Sequence, residues 1–468
     1  MFKGKSKIPS AVNYRIPKIV VISVFFICFG AFYPVYGLSV PTIGKVTLYR
    51  VGLAGMLISG PIYYRNSFLK HLSHKLIVYI LLFTCIRCMS LFMSSVEALS
   101  VGVRMLEWFV ESALGAYCIA CSLTVYPLLL KKIYYFFLYI GGSSVLVMAL
   151  QFLQFKFTGS VFALPLSMTS LGIKSIIDSS SSFHLYPMGP AWRVVGGFLE
   201  ANVAGSFIAM LSNFVLSVSL FARSRFQRYL GASIFIMSLI ALWGNGSRQS
   251  VFYIVLGSCF FIFAQWKYGY HIRYMVIIAL SVFFAVLFYI YGIKAIYDQG
   301  AVDSEMSGSI GARMSKVVDG QGAISLGGRS EFYRDAINMV SWATCFLGEG
   351  EGFGHQALAG SAGGIVNCHN AFLIVLLENG FAAFWVLLAF CLSLFRNTWN
   401  FPDFLFSHCE VEMRIFRSLL PSWCAIWIAS IFLNWTQINM SACWPFLGVI
   451  LAFILRRDEC KKVLWKKT

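Results

Sequence analysis

The chain has 468 residues, of which 59% are hydrophobic and 17% aromatic, and it carries a formal net charge of +18. Its mean hydropathy is +0.75, which excludes an ordinary soluble globular domain and identifies a polytopic membrane protein. The positive charge is spread along the chain at the edges of apolar runs and forms no single patch, so it reads as a topology signal and excludes nucleic acid as the partner.

In chain order, about twelve apolar runs approach the roughly 20 residues that cross a bilayer. They lie near 17–41, 46–64, 76–97, 105–130, 133–155, 194–222, 228–243, 249–266, 274–294, 371–395, 416–435 and 439–455. Lys and Arg concentrate in alternate short connections: Lys3 to Lys18, Arg65 to Lys75, Lys131 and Lys132, Arg223 to Arg228, Lys267 and Arg273, Arg396 to Arg417, and Arg456 to Lys467. By the positive-inside rule these segments, and both termini, are expected in the cytoplasm. The first run lacks a small-x-small cleavage site and is expected to stay as a signal anchor. Most of the 13 cysteines fall inside runs as small packing residues; Cys345 and Cys368 are the pair that could bridge outside.

The chain reads as one integral membrane domain over 1–468 with two long outer loops, 156–193 and 295–370. The second is glycine-rich and contains RSEFYRDAINMVSW at 329–342, expected as an amphipathic helix along the outer face. The sixth, eighth and tenth runs all pass from outside to inside, so their N-termini face one outer surface. Free amides and the positive dipole end there favour an anion such as a diphosphate. Arg193 precedes the sixth run, Arg248 opens the eighth, Arg329 and Arg334 lie in the large loop, and His369 stands before the tenth. Arginine offers a planar fork of donors for phosphate oxygens. A histidine beside a helix N-terminus and arginines is held neutral and can take a proton from a hydroxyl.

Each of these residues also has a plainer reading: His369 as an interfacial cap, the outer arginines as headgroup contacts. Arg87, Glu107, Glu111 and Glu200 sit within or near runs, where ionisable residues are costly and often functional. A transporter or flippase would use them equally well, though it would predict matching broken spans in two symmetric halves, and no internal repeat is visible. Asp303 and Glu305 are a loose acidic pair that reads as solvated loop, so no metal site is expected.

His369-Asn370 followed after nine residues by Gly380 resembles the signature of the O-antigen ligase and polymerase superfamily, in which a second small or hydroxylated residue stands three further on; Ala383 at that position departs from the ligase form of the motif. GNGSRQSVF at 244–252 resembles that family's Ser-Arg segment, and GGRSEFYRDAINM at 327–339 its loop arginine and short helix, with Tyr333 in place of the more usual Trp. GEGEGFG at 348–354 resembles its Gly-x-Gly turn, and RVVGGFLEANVAG at 193–205 its Arg and Asn segment.

The resemblance implies an all-α, GT-C-like glycosyltransferase bundle in the cytoplasmic (inner) membrane, with its active site under the large periplasmic loop. It implies a metal-independent transferase with no cofactor, acting on a glycan carried by undecaprenyl diphosphate. The implied catalytic residues are His369, Arg248 and Arg329, with Arg193, Arg334, Asn370, Glu378 and Asn202 binding substrate. The implied partners are the lipid-linked donor, a glycan acceptor, membrane lipid and a chain-length regulator. A polymerase is favoured over a ligase to lipid A-core, because of Ala383 and because loop 156–193 offers room for a second lipid-linked glycan.

Overall fold

A computed structural model describes residues 15–34, 37–40, 44–158, 185–188, 191–194, 198, 201–245, 247–269, 273–281, 283, 337–339, 346–354, 370–399, 401, 405–406, 409–433, 436–439 and 441–465. Among these residues the chain is an all-α bundle with two short hairpins. The helices are α1 (Lys18–Phe32), α2 (Leu48–Tyr63), α3 (Arg65–Leu72), α4 (Lys75–Leu91), α5 (Val96–Val125), α6 (Leu129–Phe136), α7 (Gly142–Thr158), α8 (Ala201–Phe221), α9 (Arg225–Asn245), α10 (Arg248–Lys267), α11 (Ala371–Asn397), α12 (Glu410–Leu433), α13 (Thr436–Asn439) and α14 (Trp444–Trp465). Among the described residues seven helices are long and apolar enough to cross a membrane, and eight if the α3–α4 pair, bent by 73°, is one broken span.

Each of the twelve apolar runs contains helix, the ninth over 273–281, but their ends needed correction. The first run stops being helical at Phe32, and residues that look equally apolar pair instead as β1 (Gly37–Val40) against antiparallel β2 (Gly44–Thr47). Hydropathy measures burial and cannot tell a hairpin from a helix over so short a stretch. The sixth run likewise begins in β4 (Ala191–Val194), paired with β3 (Leu185–Met188), and turns helical only at Ala201. The third run is preceded by α3, which lies across its axis and whose mixed sequence RNSFLKHL gave no apolar signal.

Because lipid is as apolar as a leucine side chain, the bundle is held by close packing more than by hydrophobic exclusion. Its centre is aromatic: Phe137 lies 4.7 Å from Phe446 and 5.9 Å from Trp423, ring to ring. Trp423 donates its indole N–H to the Met210 carbonyl at 3.0 Å. Phe137–Gly141 forms a π-helical turn between α6 and α7; it presents Phe137 to this cluster while Gly141 lets Leu211 approach.

The two ends of the bundle differ in chemistry. One end gathers cations and their partners: Lys70 with Glu459 at 2.6 Å, Arg223 with Glu410 at 3.2 Å, and Arg457 with the Asn397 side chain at 2.7 Å. Lys267 stands 5.2 Å over Trp399. These contacts gather the ends of α3, α8, α10 and α11, the start of α12 and residues 457–459 of α14 at one end of the bundle. At this end His74 accepts from the Leu76 amide through Nδ1 at 3.3 Å, which leaves Nε2 to donate to Asp458 Oδ2 at 3.3 Å. Burial opposes the Asp458 charge, but hydrogen bonds from His74 and Arg457 outweigh it and hold the carboxyl at about 2.

Candidate functional site

The opposite end is organised by a break in α11. Asn370 caps this helix, its Oδ1 accepting from the amides of Phe372 at 3.0 Å and Leu373 at 3.2 Å. Nearly three turns later Gly380 has φ 75° and ψ −176°, outside the helical region. The break falls at Glu378-Asn379-Gly380, the polar interruption of an otherwise apolar run, and it frees carbonyls that lipid cannot satisfy. The glycine-rich segment 346–354 supplies what is missing. Glu349 donates its amide to the Leu377 carbonyl at 2.9 Å, Gly350 its own to the Glu378 carbonyl at 3.0 Å, and Ser90 its hydroxyl to the same carbonyl at 2.5 Å. The spacing between His-Asn and glycine thus places the helix break where a loop can lock into it.

Side chains close the same locus. Glu378 is fully buried and its Oε1 accepts from the Gly354 amide at 3.0 Å. Glu351, also fully buried, accepts at Oε2 from Arg87 Nε at 3.1 Å and from Asn379 Nδ2 at 2.7 Å, while its Oε1 pairs with Arg87 Nη2. Arg87 Nη1 donates to Asn439 Oδ1 at 3.0 Å. The guanidinium stands beside the edge-to-face pair of Phe83 and Phe109, with ring centroids at 5.7 and 5.0 Å. Sequence reasoning singled out Arg87 as a costly intramembrane charge but missed Glu351. That residue stands 264 positions away inside a segment that reads only as a turn. The one available signal was the rule that a charge at this depth must have a partner.

The helix N-termini expected to share a surface do lie at one end. Phe372, in the first turn of α11, packs against Phe432 at 5.0 Å between ring centroids. The neighbouring Leu433 carbonyl accepts from Gln249 Nε2 at 3.0 Å, in the first turn of α10. Ser247, which precedes α10, donates to Asn202 Oδ1 at 3.3 Å, in the first turn of α8. Asn202, Ser247 and Asn370 are therefore linked through three helix starts.

Of the expected site residues, Arg248 is the first residue of α10 and Arg193 falls in β4, placed by their backbone. His369, Arg329, Arg334, the 329–342 helix apart from 337–339, Glu200 and the Cys345 and Cys368 pair lie outside the described residues. The expectation of free amides at the start of α11 is corrected: Asn370 already occupies two of them. Glu378 is bound to the glycine loop at one oxygen and is not exposed to an aqueous surface. Glu107 and Glu111 pair with Arg50 at 2.5 and 2.8 Å. Among the described residues no group of three or more His, Cys, Asp or Glu is placed to hold a metal ion.

The O-antigen ligase family matches residues 232–388. This segment belongs to the O-antigen ligase/polymerase superfamily. It runs from α9 through α10 to just beyond the kink in α11, so the superfamily match spans the Ser247–Arg248 helix start, the glycine loop, His369, Asn370 and Gly380. Arg87, Asn202 and Asn439 lie outside the matched segment yet contact its end of the bundle. No curated protein matches the chain.

Proposed function

We propose that the chain is an O-antigen or polysaccharide polymerase, transferring a glycan from undecaprenyl diphosphate to a sugar hydroxyl of a second lipid-linked unit at the outer face of the cytoplasmic membrane. The observation that carries this reading is the convergence of three helix N-termini, at Asn202, Ser247 and Asn370, beside the superfamily's glycine loop.

An acceptor hydroxyl attacks the anomeric carbon while the bond to the diphosphate oxygen breaks, so a polyanion leaves. Its charge needs stabilisation more than its oxygen needs a proton. Arg248 supplies a permanent cation at the start of α10, where the helix dipole adds roughly half a positive charge, and Arg329 supplies the second. Arg193 and Arg334 extend the anion surface. His369 takes the acceptor proton as the new glycosidic bond forms. Asn370 holds the first turn of α11 and thereby the residue before it. Metal and cofactor have no assigned role in this scheme.

Ala383 is fully buried and offers no hydroxyl, which favours the polymerase. The ligase reading, transfer to lipid A-core, is favoured by the matching family's description as O-antigen ligase. Both readings use the same site. His369→Ala and Arg248→Ala, each expressed in a strain lacking its own copy, should each abolish glycan transfer; retained transfer in both would remove the proposed site.

A further inference from the structure

Three distant parts of the sequence meet on one guanidinium. Arg87 comes from α4, Glu351 from the glycine loop and Asn439 from α13, and all three are buried. The arginine uses Nε, Nη1 and Nη2 on these two partners and packs beside the contacting rings of Phe83 and Phe109. Burying such a pair is not in itself a gain in stability, since desolvation offsets the attraction, but it fixes one arrangement in place of many.

What it fixes is the loop. Glu351 is held by its side chain through Arg87 and Asn379, and its carbonyl accepts from Ser94 Oγ at 2.9 Å. On either side of it the backbone docks into the α11 break through Glu349, Gly350 and Gly354. The chain entering this anchored turn comes from Arg329 and Arg334, and the chain leaving it runs to His369.

We infer that Arg87 and Glu351 form a positioning clamp that locks the 346–354 loop into the kink of α11 and so fixes the anchor that lies between Arg334 and His369 in the sequence. The inference rests on the glycosyltransferase reading for its catalytic consequence and on the contacts alone for its structural one. It also gives the segment before the superfamily match a specific task, because Arg87 lies far upstream of residue 232.

The test uses the full chain in detergent or native membranes, with Arg87→Met, Glu351→Gln, the double variant and Arg87→Lys. Each single neutralisation leaves one buried charge bare, so both should be less stable than the double variant, which leaves none. In the double variant the peptide over 346–354 should exchange its amide hydrogens on the order of tenfold faster than wild type while the α12 and α14 peptides keep their protection. Its kcat for glycan transfer should fall by on the order of tenfold with the donor KM little changed, the split expected when alignment is lost and binding is kept. Arg87→Lys keeps the charge without the fork and should give intermediate exchange, which preserves the test if the double variant does not fold. Wild-type loop protection in the double variant or in Arg87→Lys, or wild-type kcat in a folded double variant, would overturn the clamp. Absence of any transfer by the wild-type chain would instead defeat the glycosyltransferase reading, with the exchange measurement still deciding the clamp.

Discussion

A methyl group added at Gly380 would stand 2.3 Å from the Phe346 carbonyl oxygen, and the residue's backbone lies in a region almost closed to other amino acids. Strain of that kind costs roughly 1–3 kcal/mol before the collision is counted. Gly380→Ala should therefore lower the thermal unfolding midpoint in detergent and release the protection of the Glu349 and Gly350 amides; an unchanged midpoint would mean the loop is not seated in the break. Asn370 acts through its side-chain oxygen, so Asn370→Ala should cost about 1 kcal/mol of stability while Asn370→Asp, which keeps an acceptor, should cost much less. Equal losses for the two would refute the capping role. At this scale the sequence was legible where chemistry is local: His-Asn before an apolar run, glycine at a fixed interval, arginine at a helix start. The acceptor for Arg87 was hidden, because a contact spanning 264 positions leaves no local trace and Glu351 looks like any residue of a polar turn.

Among the elements, the α3–α4 elbow ties the cation-rich end to α14 through His74 and Asp458, 3.3 Å apart. The Asp458 carboxyl is held at about 2, below the ordinary value of 3.8. A depressed carboxyl contributes stability that is present above its unfolded value and lost as pH falls through its folded one. Asp458→Asn should therefore be less stable than wild type at neutral pH, and the gap in unfolding midpoint should close between about pH 4 and pH 2. A gap independent of pH would show that the carboxylate charge contributes nothing there. Element identity was readable from the apolar runs, but their ends were not. The hairpin over 37–47 and the turn to helix at Ala201 are decided by backbone pairing that hydropathy does not register.

For the whole molecule, the segregation of cations at one end and the glycine loop at the other argues for a fixed orientation. A reporter active only outside the cytoplasm should be active when fused after Ser94, beside the loop, and silent when fused after Ser224, at the cation-rich end. The reverse pattern would invert the proposed site to the cytoplasmic face. The alternation of basic connections made the gathering of cations at one end readable in advance, because the charges flank successive apolar runs and need no tertiary contact to be counted. The assembly of the loop into the α11 break was not readable, since it depends on three chain segments meeting.

The most direct test of glycan polymerisation is the lipopolysaccharide gel pattern of a deletion strain in a host that makes O-antigen. A polymerase should leave core carrying a single repeat unit with the ladder gone, restored by the wild-type chain but not by His369→Ala or Arg248→Ala. An unchanged ladder would contradict that reading, and bare core with full-length glycan still on its lipid carrier would replace polymerase with ligase.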